Sequence, residues 1–365
     1  MNKPDLDFDP AGERHGGDII AAGRTYRRGR FLDLSINLNP WGPPARLWWE
    51  LLKAVPKIGQ YPQPYTADGA ARIAAFFGVP ESRVALGNGA AELIAVLPQA
   101  LPVRRAVVLE PTFSEYRRAF GAAEKSLRQL LLGPEYQLDL SVLEREIVPG
   151  DLLFLCQPNN PTGRVLPEAT LAAALELTER SGAWLAVDES FLWFCGPILE
   201  LTLAARLEQH PRLIIFNSLT KIGSVPGLRL GFMMAAPEVI RVVQRALNQW
   251  NVNRMAQQIL PAVLDRAFLD RSWKLLITEN RWLQEKLAGI PGIAVYPWEA
   301  NFYLIRVEMP GITAADIVAK LGGRGILIRD CRNFAGLERD YFRVAVGRRA
   351  QNLTFVENLV ASLDL

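Results

Sequence analysis

Asp151-Leu152-Leu153-Phe154-Leu155-Cys156 and, a helix-length interval later, Ala183-Trp184-Leu185-Ala186-Val187-Asp188 decide the fold. Each is a short, nearly unbroken apolar run of strand length, the texture of a strand covered on both faces. Between them Pro167–Ser181 begins on Pro-Glu and stops near Gly182, which predicts a helix. Working outward, Arg105-Ala106-Val107-Val108-Leu109-Glu110, Arg212-Leu213-Ile214-Ile215-Phe216-Asn217 and Leu228-Arg229-Leu230-Gly231-Phe232-Met233 have the same form. Apolar strands joined by helices predict an α/β sheet, mostly parallel, with helices on both faces.

From about residue 236 the texture changes. Pro237–Arg245 and Ala256–Ala288 read as long helices, the second rich in Leu, Lys and Arg. Strands at Ile293–Tyr296, Phe302–Ile305 and Phe342–Val346 then alternate with helices at 313–321 and 351–363, an α+β pattern. The expected division is an N-terminal arm or small-domain segment over 1–40, a large α/β domain over 41–245, and a connecting helix with a small α+β domain over 246–365. Half of the 365 residues are hydrophobic, enough to offset the entropy of ordering, so disorder over most of the chain is excluded. Forty-one Lys and Arg against 38 Asp and Glu leave a net charge of +3 without long runs of one sign, so nucleic acid is not an expected partner. The densest basic patch, Arg24–Arg30, reads as a solvated loop. Cys156, Cys195 and Cys331 are widely spaced and form no C-x-x-C pair, which argues against a disulfide framework or a metal site and for a reducing cytoplasm. The Met1–Asp7 start lacks a signal-peptide apolar core, and no apolar run is long enough to span a membrane.

Three features of the large domain bear on chemistry. Gly87-Asn88-Gly89-Ala90-Ala91-Glu92 follows the strand-like Arg83–Leu86 and opens an apolar helix, where free N–H groups and the helix dipole favour phosphate. Asp188 ends an apolar strand, where an unpaired carboxylate is costly, so it needs a cation or a strong donor. Ser218-Leu219-Thr220-Lys221 closes another strand, and a lysine there becomes a nucleophile if its surroundings depress its pKa. Singly, each has a plain alternative: a strand-to-helix turn, an ordinary ion pair or cap, a surface lysine. Together they meet the needs of pyridoxal phosphate: a lysine for its aldehyde, an anion for its protonated ring nitrogen and a cup for its phosphate.

At these residues the chain resembles the fold-type I pyridoxal-phosphate enzymes. The landmarks are Pro158-Asn159-Asn160-Pro161-Thr162-Gly163, Val187-Asp188-Glu189-Ser190-Phe191, Ser218–Lys221 and Gly227-Leu228-Arg229-Leu230-Gly231, in the family's order. Similarity to the histidinol-phosphate aminotransferase branch runs over nearly all of residues 31–360. The resemblance implies the fold-type I transferase fold, pyridoxal 5′-phosphate as cofactor, and a homodimer with shared active sites. It implies a catalytic set in which Lys221 takes the cofactor's aldehyde, Asp188 pairs with the ring nitrogen, Asn160 bonds the ring O3′ and Phe113 stacks on the ring. Gly89, the amides of Ala90 and Ala91, Ser218 and Arg229 would hold the cofactor phosphate, and Tyr61 would reach that of the neighbouring subunit. One departure is Phe191, where relatives commonly carry Tyr; one hydrogen bond to O3′ is lost.

Finer matches are His15-Gly16-Gly17, Asp33–Pro40, Ala300–Arg306, Ile326–Cys331 and residues 333–346. This combination resembles the threonine-phosphate decarboxylases of cobalamin biosynthesis. It implies conversion of L-threonine O-3-phosphate to (R)-1-aminopropan-2-yl phosphate and CO₂, with His15, Gly16, Asn37, Asn160, Arg329 and Arg343 on the substrate. A phospho-amino acid carries two anions, and bidentate arginine suits either, although both arginines could be ordinary surface residues. Glycine amides beside His15 could form an anion nest. Gripping the remote phosphate frees the carboxylate to turn out of the ring plane, the geometry that releases CO₂. The alternatives are a histidinol-phosphate-like aminotransferase and a serine-phosphate decarboxylase. A non-catalytic cofactor-binding regulator is disfavoured by the intact Lys221.

Overall fold

The strands expected at 105–110 and 151–156 form with those bounds in the computed structural model, which describes residues 16–296, 299–337 and 339–363. Seven strands make the large sheet, in the order Val84–Gly87, Gly231–Met234, Leu213–Ser218, Trp184–Asp188, Asp151–Cys156, Arg105–Glu110, Ser126–Leu131. Every pairing is parallel except the two made by Gly231–Met234. Successive side chains of a strand point to opposite faces. Ala106, Val108, Leu152, Phe154, Ala186 and Phe216 accordingly pack with helices Ala90–Ala100, Glu115–Ala122 and Pro237–Ala246 on one face. Val107, Leu153, Leu155, Val187 and Ile215 pack on the other. Both faces are covered, which is why the central strands carry no polar alternation.

A second sheet of four antiparallel strands runs Arg329–Asp330, Tyr341–Ala345, Phe302–Val307, Ile293–Val295. Helices Arg266–Ala288, Ala314–Gly323 and Arg349–Val360 accompany it, and Leu32–Asp33 pairs in parallel with Ile326–Leu327. Among the described residues no helix is long and apolar enough to cross a membrane.

Three expectations need correction, and one strand was not expected. The single helix over Ala256–Ala288 is two, Arg254–Val263 and Arg266–Ala288, because the Asp265 carboxylate caps the second by accepting from the Phe268 N–H. The strand expected from Leu228 starts at Gly231, since Pro226–Leu228 forms a 3₁₀ turn and Arg229 takes a left-handed conformation. Arg24, Thr25 and Tyr26 lie in helix Ile19–Tyr26, so only Arg27–Arg30 of the basic patch is loop. Ser126–Leu131 is a strand that the sequence pattern did not announce; at the sheet edge it is mostly solvated and carries Ser, Arg and Gln.

Candidate active site

In a parallel sheet the strand ends all open on one crevice, and ligands bind beyond their carboxyl ends. Asp188 and Ser218 end their strands here, Lys221 follows in a short helix, and Asn160, Phe113 and Gly89 follow the ends of three others. These residues line one cavity of about 590 Å³, together with Gly16, Asn37, Ala90, Ala91, Arg229, Arg329 and Arg343. Sequence separation of more than 300 residues collapses into one crevice. Tyr61 is the exception: its ring is 73% exposed and stacks on Trp250, with centres 4.4 Å apart, outside this cavity. His15 lies outside the described residues.

The phosphate cup is built by close backbone approach. Gly89 has φ +84° and precedes helix Ala90–Ala100; a Cβ on it would come within 2.9 Å of Arg229 Nη2. A Cβ on Gly231 would sit 2.3 Å from the Ala90 nitrogen. Only glycine permits this packing of guanidinium, strand and helix N-terminus. Free N–H groups, the dipole and a guanidinium thus converge where a phosphate fits.

Asp188 is buried, with Oδ2 accepting from the Tyr116 hydroxyl at 2.9 Å and Oδ1 from the Ser190 N–H at 3.0 Å. Burial pushes its carboxyl pKa up, against those two hydrogen bonds and the nearby Lys221 charge. A cation over it would complete its partners. Lys221 is pushed down to about 8, first by burial, then by the charges of Arg343 and Arg229, with Asp188 opposing. Its main chain is pinned by the Asn39 N–H, which donates to the Lys221 carbonyl at 3.0 Å. Its amine lies 5.8 Å from the centre of the Phe191 ring. Such surroundings favour the neutral, nucleophilic form of an amine.

Arg329 and Arg343 sit on strands, not on a loop end and a strand, and are direct cross-strand partners. Both are buried, and no carboxylate pairs with either among the described residues. Asp330 pairs with Arg332 at 2.7 Å. Arg343 donates to Asn160 Oδ1 and, at 2.8 Å, to the Ser35 carbonyl, and lies over the Phe302 ring. Arg329 donates to Asn333 Oδ1 at 2.8 Å and lies over Phe334. Burial lowers the Arg343 pKa to about 10, which leaves it charged in neutral water. Two like charges on facing positions repel, and an anion between them would relieve that repulsion. Beside it, both side-chain polar atoms of Asn37 are buried without a hydrogen-bond partner among the described residues, a state that a ligand would relieve.

The glycine turn is tighter than an open nest. A Cβ on Gly16 would meet the Ser35 carbonyl at 2.4 Å, and the Gly17 N–H already donates to Ser35 Oγ at 2.9 Å. That amide is not free for an anion. Sequence reading also missed Tyr116 and Ser190. Tyr116 stands in the first turn of helix Glu115–Ala122, and Phe113 precedes that helix, so no helical spacing in the sequence links the two.

Amine, buried acid, phosphate cup and stacking ring define a pyridoxal-phosphate enzyme of fold type I, and the residues present fit that cofactor. The chain belongs to the aminotransferase class I and II family, which matches residues 30–359, and pyridoxal 5′-phosphate is its cofactor. Threonine-phosphate decarboxylase of Salmonella typhimurium is 33% identical over 356 residues, covering 96% of this chain and 95% of that protein. Histidinol-phosphate aminotransferase 2 of Nitrosococcus oceani is 33% identical over 338 residues, covering 90% and 91%. The crystal structure of histidinol-phosphate aminotransferase from Clostridium acetobutylicum superposes with a TM-score of 0.85 at 25% identity, over 91% of this chain and 99% of that one.

Proposed function

We propose that this chain is a cytoplasmic, homodimeric decarboxylase of L-threonine O-3-phosphate, releasing CO₂ and (R)-1-aminopropan-2-yl phosphate in cobalamin biosynthesis. The observation that carries the reading is the buried cross-strand pair Arg329 and Arg343, without a carboxylate among the described residues, in the same cavity as Lys221. The Salmonella relative supports it over nearly the whole chain.

When bound, pyridoxal phosphate supplies an electron sink for the pair released at the amino acid's Cα. Asp188 would keep the ring nitrogen cationic, Phe113 would support the ring and Asn160 would donate to O3′. The paired guanidiniums grip the substrate's phosphate, and Asn37 satisfies its buried amide on the same substrate. Binding energy spent on that remote group would orient the substrate, and the carboxylate, gripped by neither guanidinium, would be the group free to leave as CO₂. Lys221, whose pKa is pushed down to about 8, would deliver a proton to Cα in place of the CO₂ lost.

Homodimerisation is supported by Trp48, Trp49 and Leu52 on helix Ala45–Ala54, by Ile58, and by the exposed Tyr61. This apolar face is suited to a second copy of the chain, whose cofactor phosphate Tyr61 would reach.

The test is product analysis. With threonine phosphate and no oxo acid, CO₂ and the amino-alcohol phosphate are expected in equal amounts. Serine phosphate should turn over with kcat/KM lower by about ten- to a hundredfold, the worth of one methyl group. The second reading, amino transfer from a histidinol-phosphate-like substrate, is supported by the Nitrosococcus relative. Consumption of 2-oxoglutarate without CO₂ would establish it.

A further inference from the structure

Burying a phenol is costly unless its hydroxyl is bonded. Tyr116 is wholly buried, and its hydroxyl donates to Asp188 Oδ2 at 2.9 Å. Its ring stacks on Phe154, with centres 4.6 Å apart and planes 12° from parallel, so the phenol is held in one place. The same ring meets Phe113 edge-on, 5.6 Å between centres at 85°. One side chain therefore abuts both the carboxylate read as the ring-nitrogen partner and the aromatic read as the cofactor's stacking face. The other oxygen of Asp188 accepts from the Ser190 N–H, and the Ser190 side chain also bonds this carboxylate.

We propose that Tyr116 is a positioning residue for the cofactor: its hydroxyl keeps Asp188 oriented as an ionised acceptor for the cationic ring nitrogen, while its edge seats Phe113. The inference rests on the reading of Asp188 as that nitrogen's partner. The groups facing Asp188 are Tyr116, Cys156, Lys221 and Glu189. Lys221 and the hydrogen bonds from Tyr116 and Ser190 oppose the upward push of burial on the carboxyl. Tyr116→Phe keeps the volume and the edge contact and removes one of those opposing groups. Asp188 then takes up a proton at higher pH.

The experiment titrates the cofactor-free, full-length protein with pyridoxal phosphate across pH, following visible absorbance. Tyr116→Phe is expected to raise the cofactor Kd by about tenfold, as for one hydrogen bond to a charged group. The acid limb of binding is expected to move to higher pH. Asp188→Ala is measured alongside. If it leaves the Kd and the absorbance unchanged, the reading of Asp188 fails and takes this inference with it. If Asp188→Ala weakens binding while Tyr116→Phe moves neither the Kd nor the acid limb, Asp188 stands and Tyr116 is packing alone. In the Asp188→Ala background Tyr116→Phe should cost nothing further; an additive loss overturns positioning through Asp188. Should the Phe variant not fold, Tyr116→Met, which lacks both hydroxyl and ring edge, is read by the acid limb alone: a limb left at the wild-type pH overturns positioning through Asp188.

Discussion

A buried amine beside two guanidiniums gives up its proton more easily than one in water, and Lys221 is in that position. Nucleophilic attack needs the neutral amine, so capture of pyridoxal phosphate by the cofactor-free protein should speed up as pH rises, with a midpoint near 8. Stopped-flow absorbance measures this; a midpoint near 10, that of an ordinary lysine, would contradict the environment described. Arg343→Ala removes the guanidinium whose repulsion lowers Lys221 the more, so the same midpoint should move upward. Lys221→Ala should abolish both capture and turnover. At this scale the sequence was informative wherever chemistry is local: Lys221, Asp188 and Asn160 each stand in a short motif at a strand end. Tyr116 was not legible in the same way, because its meaning lies in a contact with a residue 72 positions away.

Elements meet at the phosphate cup, where the antiparallel strand Gly231–Met234 runs against the start of helix Ala90–Ala100. Gly231→Ala puts a methyl 2.3 Å from the Ala90 nitrogen, and the obstacle is backbone, which cannot rotate away. We expect a loss of about 1–3 kcal/mol of stability, with weaker cofactor retention, read by thermal melting with and without pyridoxal phosphate. An unchanged melt would mean the helix N-terminus moves freely and forms no fixed cup. The pattern of runs located most strands because a doubly covered sheet leaves each central strand apolar. It failed at Ser126–Leu131, an edge strand whose polar residues face solvent. It also joined Arg254–Val263 to Arg266–Ala288, since helical periodicity alone does not weigh a cap such as Asp265.

Across the whole molecule the unexplained surface is aromatic: Trp48, Trp49 and Tyr61 are 60%, 62% and 73% exposed. If a second copy covers them, the double variant Trp48→Glu, Trp49→Glu should turn a dimer into a monomer in light scattering and lose most turnover, since Tyr61 then reaches no partner. A wild-type monomer with full activity would refute the shared site. The chain by itself determined the layered α/β architecture and the cofactor, and it marked the residues proposed to handle that cofactor. Burial periodicity and strand-end motifs are local properties, written in consecutive residues. Only the tertiary structure decided that Arg329 and Arg343 are facing cross-strand neighbours, that the Gly17 amide is already spent on Ser35, and that Tyr116 braces Asp188. Those facts depend on register and on contacts between distant segments, which only packing in three dimensions sets.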